Sequence, residues 1–360
     1  MSTETPATPY SFDRYTVMEF RDELLQMPET YQRSVKEDVS QFASWLRSRA
    51  HAPMLAVGAG GSLAAAQLAA ALHRRATGQL ATTGEPMDIY QLDDSADATT
   101  VLLVTASGSH SDSLAACEIL GNKSAPSAVF SGKRDSKGAA LLAGSSTPVF
   151  EFDLLPDTHG WVAVNSLLAQ AVVLARAYAE AFPDKLGALP ATIAELSPGW
   201  GDIDAAIREL IALIEPVLER NLLVFLHGPD TKAAAVDLDS KFAESDLGWL
   251  TVSEYRNFAH GRYQMILPRQ HETGVLGFYS KREQGIANAT LAEVPDSVPH
   301  VGIQVPGASP AGEQVGSLVL LLLVVGALAH VRQIDVGWGS RSTFGDVIYD
   351  IDLSPFHTAS

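Results

Sequence analysis

Residues 53–77 read PMLAVGAGGSLAAAQLAAALHRRAT: a short apolar run, a glycine turn, then an alanine-rich stretch with no helix breaker. The run is too short for a helix and ends in glycines, whereas the stretch after it is a good helix former, so the segment predicts strand, tight turn, helix. Residues 99–120, TTVLLVTASGSHSDSLAACEIL, repeat the pattern with a hydroxyl-rich turn. Further short apolar runs at 127–132 and 148–154 read as strands, and 164–182 as a long helix. Strands alternating with helices call for a parallel sheet covered on both faces.

The pattern then restarts. Residues 222–242, LLVFLHGPDTKAAAVDLDSKF, again place a glycine turn between an apolar strand and a helix opening on three alanines. Runs at 274–280 and 300–305 continue the strands, so order and spacing predict a duplicated α/β unit. Ahead of the first unit, apolar residues recur at helical spacing from Arg14 to Arg49, and Pro28 is expected to break that run into two helices. The expected organisation is a disordered tail (1–13), entry helices (14–50), a first subdomain (51–185), a Pro/Gly-rich linker (186–200), a second subdomain (201–335) and a C-terminal tail (336–360).

Hydrophobic residues make up 46% of the 360-residue chain, ample for a core, and the formal net charge of −17 argues against nucleic acid and anionic membrane surfaces as partners. The lone cysteine, Cys117, sits in an apolar helical context, which rules out an intramolecular disulfide or a cysteine zinc cluster. The N-terminal residues lack the basic and apolar regions of a secretory signal, and the apolar run 318–329 is twelve residues where a membrane span needs about 20. A buried helix and a cytoplasmic location are therefore expected. Histidines and carboxylates are not spaced as metal ligands, so neither metal nor cofactor is expected.

Ligands of open parallel sheets sit at the carboxyl ends of strands, near helix N-termini that favour anions. Two turns qualify. Gly58-Ala59-Gly60-Gly61-Ser62 combines close backbone approach with a hydroxyl, although an ordinary strand-to-helix connection with a serine cap has the same sequence. Thr105 to Ser113 offers five hydroxyls in nine residues, more than one helix cap requires and well suited to phosphate oxygens. Neither turn is a dinucleotide fingerprint or a P-loop.

These turns resemble those of the sugar isomerase (SIS) domain family, whose loops read Gly-x-Gly-x-Ser and Ser-x-Ser-Gly-x-Thr-x-Asp-Thr. The family's Lys-x-x-Glu is matched by Lys241 to Glu244, and its His-Gly pair, sixteen residues after the glutamate, by His260-Gly261. The leading Glu-x-x-x-x-Pro segment is matched by Glu23 to Pro28, so the likeness runs from about Tyr15 onward. It is nearest to the isomerase part of glucosamine-6-phosphate synthase and to fructosamine-phosphate deglycases.

The resemblance implies two tandem SIS subdomains, each a flavodoxin-like parallel sheet in three α/β/α layers. It implies a phosphosugar held by Gly60, Gly61, Ser62, Thr105, Ser107, Ser109, His110 and Ser111. It further implies Glu244 as the carboxylate that shuttles a proton through an enediol or enaminol, His260 as the ring-opening group, and Lys241 as a balancing charge. The plain alternative for Lys241 and Glu244 is an ion pair on a helix surface.

Departures narrow the chemistry. The tail carries no lysine for an imine, which speaks against amination of a ketose and against a glutamine amidotransferase. Arg262 stands where the family has proline, either solvated or reaching a second anion, and His159 and Asn165 stand where the family contacts sugar hydroxyls. An aldose–ketose isomerase or deglycase is the leading expectation, with a non-catalytic phosphosugar sensor as the alternative. The family habit implies a homodimer in which the histidine segment reaches the neighbour's site.

Overall fold

The computed structural model describes residues 12–16, 18–92, 99–155, 160–349 and 351. Two parallel sheets organise it. The first comprises β2 (Met54–Val57), β3 (Ala81–Gly84), β4 (Thr100–Thr105), β5 (Ser127–Ser131) and β6 (Val149–Glu151), in the order β3-β2-β4-β5-β6. The second comprises β7 (Leu222–His227), β8 (Trp249–Glu254), β9 (Thr273–Tyr279) and β10 (His300–Gln304), in the order β8-β7-β9-β10. Both start with the second strand outside the first, the flavodoxin-like order, and the second sheet ends one strand earlier. All pairings within them are parallel, with Met54 opposite Thr100 and Leu222 opposite Thr273.

The central strands β4, β7 and β9 are buried along their whole length, which is why their sequences are continuous apolar runs without alternation. Helices Gly61–Thr77, Asn165–Ala181, Lys232–Ser245 and Pro310–Arg332 pack on one another and supply much of the core. Ala64, Ala65, Ala66, Ala69 and Ala70 are fully buried, and their small side chains let the first of these helices lie close to its neighbours. Pro310–Arg332 is long and apolar enough to cross a membrane by composition, yet most of its apolar stretch is inside the protein, with Leu318, Leu321, Leu322 and Val325 at 0% exposure. A helix apolar on every side is explained by burial on every side.

Pro28 does not break the entry segment. Helix Phe20–Ser34 runs through it, and the interruption falls at residues 35–39, before helix Ser40–Ser48. A proline inside a helix costs about 3 kcal/mol. Burial of Leu24, Met27 and Tyr31 on the core side offsets that cost. Beyond the two parallel sheets, β1 (Phe12–Thr16) pairs antiparallel with β11 (Trp338–Ser342), so Phe12 and Asp13 lie in a strand that ties the entry segment to the C-terminal one. Residues 186–200 carry short helical turns that bury Ile193, Leu196 and Trp200.

Candidate functional site

The sheet order reverses between β2 and β4 in the first half and between β7 and β9 in the second, so each half has one switch point at the carboxyl ends of its strands. In the first half the turn after β2 is pinned by its glycines. A Cβ on Gly58 would come 2.4 Å from the Ser62 carbonyl oxygen, and Gly60 has φ +52°, in the left-handed region. Ser62, buried in the first turn of helix Gly61–Thr77, has its hydroxyl 3.4 Å from Gln170 Oε1 and 3.3 Å from Gln170 Nε2, both long contacts.

The turn after β4 uses part of its hydroxyl supply on itself. Thr105 Oγ1 accepts from the Gly108 amide at 3.1 Å and lies 3.1 Å from Ser113 Oγ, while Ser109 Oγ donates to the Ser107 carbonyl at 3.0 Å. His110 caps helix Ser111–Asn122, its Nδ1 accepting from the Asp112 amide at 3.3 Å. Its Nε2 is buried with no hydrogen-bond partner among the described residues. With Nδ1 as acceptor, Nε2 carries the proton and is a donor awaiting an acceptor. The Asp112 carboxylate lies 3.2 Å from Nδ1.

Gly60, Ser62, Thr105, Ser107 and His110 line a single cavity of 650 Å³, together with Ser113 and Asp112. The structure thus brings together five of the eight turn residues expected to hold a ligand. Gly61 instead faces Ala163, whose Cβ is 2.5 Å from where its own would stand; the Ser109 hydroxyl is folded back on its loop; Ser111 is outside the lining. Another cavity of 610 Å³ lies among Phe20, Leu24, Ile207 and Gly326, with the Arg21–Asp204 pair on its rim. It is at neither switch point and has no hydroxyl turn.

At the second switch point the protein fills its own turn. Glu283 Oε1 accepts from the Asp230 amide at 2.7 Å and Oε2 from the Ser280 amide at 2.9 Å. The Asp230 carboxylate in turn takes the Ser280 hydroxyl and both Arg282 nitrogens. A Cβ on Gly228 would meet Glu283 Oε1 at 2.1 Å, so glycine there makes room for the protein's own carboxylate. Burial raises the Glu283 carboxyl above its ordinary value, opposed by those backbone amides.

Lys241 is 1% exposed, and its Nζ donates to Asp237 Oδ1 at 2.7 Å and to the Ala163 carbonyl at 2.8 Å. It is therefore not the free charge expected beside Glu244: the helix turns it inward to Asp237, one turn back, where a buried cation needs an anion most. Through Ala163 it also joins the second half to Gly61 and the first turn. Asp237 is itself buried, which raises its carboxyl, with Lys241 opposing.

Glu244 keeps an exposed edge and accepts a hydrogen bond from Ser240. Its carboxyl is raised, first by loss of surrounding water, against the Ser240 hydroxyl and Lys241 and with a further push from Asp237. His260 and Arg262 are exposed on the turn that follows helix Tyr255–Phe258, with Gly261 between them at φ +95°. No ion pair involves either residue among the described residues.

Asn165 is not open to a sugar hydroxyl. It is buried, accepting from Thr30 Oγ1 at 2.7 Å and donating to the Glu23 carbonyl at 2.9 Å, and so fixes the entry helix to helix Asn165–Ala181. His159 lies outside the described residues.

Two carboxylates were missed from the sequence. Asp237 was legible as the i−4 neighbour of Lys241. Glu23 is 1% exposed, its oxygens without a hydrogen-bond partner among the described residues, packed onto Gly160. Burial pushes its carboxyl up to about 7, against the Gly160 amide and Lys241. Its only signal was its place in the Glu-x-x-x-x-Pro segment.

The tandem flavodoxin-like sheets with a hydroxyl turn at the first switch point define the SIS fold. No family model matches the chain, and no curated protein matches it in sequence. Solved structures match in fold. A provisionally assigned phosphosugar isomerase from Silicibacter pomeroyi superposes with a TM-score of 0.68 at 19% identity, over 89% of this chain and 100% of that one. Glucosamine-6-phosphate deaminase from Thermotoga maritima gives 0.66 at 14%, over 89% and 97%. The C-terminal domain of glucosamine-fructose-6-phosphate aminotransferase from Francisella tularensis gives 0.62 at 14%, over 89% and 98%. At these identities the likeness is one of fold.

Proposed function

We propose that the chain is a phosphosugar enzyme of the aldose–ketose isomerase or deglycase type, acting on a hexose 6-phosphate derivative through an enediol or enaminol. The observation that carries this reading is the contrast between the switch points: one turn is filled by Glu283, while at the other Ser62, Thr105, Ser107 and Ser113 line a cavity. The fold neighbours named for sugar-phosphate chemistry support the same ligand class.

Glu244 is the proton shuttle in this reading. A carboxyl raised above its ordinary value is better matched to proton exchange near neutral pH. His260 is the ring-opening group, and its exposure suits a residue offered to a second subunit of a homodimer. Lys241 acts in this scheme through Asp237 and Ala163, as a strut and not as a reacting charge.

The test is exchange of the sugar C2 proton with solvent deuterium, followed by NMR on ligands that raise the melting temperature. Exchange by the native protein that falls at least a hundredfold in Glu244→Gln is the expected result. Stabilisation without exchange would instead make the protein a sensor. Mixing Glu244→Gln with His260→Asn subunits should restore exchange if the histidine acts across a dimer, and no recovery would place both groups in one chain.

A further inference from the structure

The cavity has a second wall that a bare sugar phosphate does not need. The same cavity is also lined by Met87 and Tyr90 from the 3₁₀ turn Pro86–Gln91, by Ile348 and Tyr349 at the end of helix Thr343–Tyr349, and by Ile351. These groups come from widely separated parts of the chain and converge on one space. Met87 is 58% exposed, Ile348 51% and Tyr349 65%. Large apolar side chains left open around a single cavity mark a binding surface more often than chance. The Tyr349 ring meets His110 edge-on at 4.3 Å between centroids, so the apolar wall is continuous with the turn that carries the free imidazole nitrogen.

Hydroxyls and phosphates gain nothing from such a wall, because displacing their water against methyl and aromatic groups leaves polar atoms unpaired. A cavity of 650 Å³ falls in the range of about 300–1,000 Å³ that encloses ligands of drug size. We propose that its ligand is a hexose phosphate bearing an apolar substituent through an amine, with the phosphosugar at the hydroxyl turn and the substituent between Met87 and Tyr349. This rests on the phosphosugar reading and sharpens it, since an aldose–ketose isomerase has no use for the wall and a deglycase does.

The experiment is calorimetric titration with fructose 6-phosphate and with the fructosamine 6-phosphates of glycine and phenylalanine. The phenylalanine conjugate is expected to bind at least tenfold tighter than the glycine conjugate. Substituting Met87→Ser on one wall, or Ile348→Ser with Tyr349→Ser on the other, should each move that ratio toward one. Equal affinities for the two conjugates in the native protein would overturn the proposal. So would a ratio that survives both sets of substitutions, or one unchanged while light scattering shows altered assembly, which would make the wall a subunit contact. The phosphosugar reading fails separately, if the phenylalanine conjugate binds equally well with its phosphate removed, or if no phosphorylated ligand binds at all.

Discussion

The two switch points are built from the same strand order and differ in what occupies the backbone amides at the carboxyl ends of the strands. In the second half, Glu283 reaches back into the turn and takes the amides of Asp230 and Ser280. In the first half the corresponding turn residues Ser62, Thr105, Ser107, His110 and Ser113 line a cavity. A parallel sheet supplies an anion site wherever its order reverses, because free amides and helix N-termini gather there. Duplication therefore supplied two such sites, and one carboxylate side chain is enough to satisfy one of them internally. The second turn is occupied by the protein's own carboxylate, and the first lines a cavity.

The contrast can be broken from the filled side. Glu283→Ala would strand the amides of Asp230 and Ser280, and unpaired buried groups of this kind cost about 3 kcal/mol in sum. Chemical denaturation should register that loss, and phosphate should restore more stability to the variant than to the native protein. An identical phosphate response in both would show that the emptied turn does not take an anion.

A comparable effect is expected at the buried carboxylate of the entry helix. The Glu23 carboxyl is raised from an ordinary value near 4.5 to about 7. A raised folded value means that stability present at low pH is lost as pH rises through that window, since the folded state must then give up a proton it holds more tightly than the unfolded chain does. The shift corresponds to about 3 kcal/mol. Glu23→Gln, which never ionises, should match the native protein near pH 4.5 and exceed its stability by about that amount near pH 8. A constant difference across the range would show that Glu23 does not titrate within it.

The smallest effect belongs to the open turn. Ser107→Ala with Ser113→Ala should weaken a phosphorylated ligand at least roughly thirtyfold, two hydrogen bonds of about 1 kcal/mol or more being lost. The melting temperature should barely move, because Ser107 is exposed and gives up only a 3.3 Å bond from the Ser109 amide, and Ser113 gives up one contact with the Thr105 hydroxyl. An unchanged binding isotherm would remove the hydroxyls from the phosphate site.

Much of the fold was legible along the chain because buried parallel strands read as unbroken apolar runs and glycine turns announce themselves. Strand β4 and its hydroxyl turn, and β7 with its triple-alanine helix, are of this kind. Two of the four edge strands described in the parallel sheets were not. β3 is Ala-Thr-Thr-Gly and β8 is only half buried, so neither has a pattern that distinguishes it from a loop. The pairing of β1 with β11 joins segments at opposite ends of the sequence, and no local signal reports a contact at that separation.

The same division holds at the site. Residue types and spacing marked the glycine turn at Gly58 and the hydroxyl turn at Thr105, which the structure places at the carboxyl ends of β2 and β4. Orientation was decided only in three dimensions. Lys241 has Asp237 four residues before it and Glu244 three residues after, and helical spacing permits either partner. Burial against the first half selects Asp237, because a cation cut off from water must be neutralised where it lies. Likewise nothing local told the open switch point from the filled one: that required Glu283, fifty-five residues beyond Gly228, to fold back onto the turn. Sequence sets which groups are present and how the chain bends beside them; the packing of distant segments decides which of those groups remain free to act.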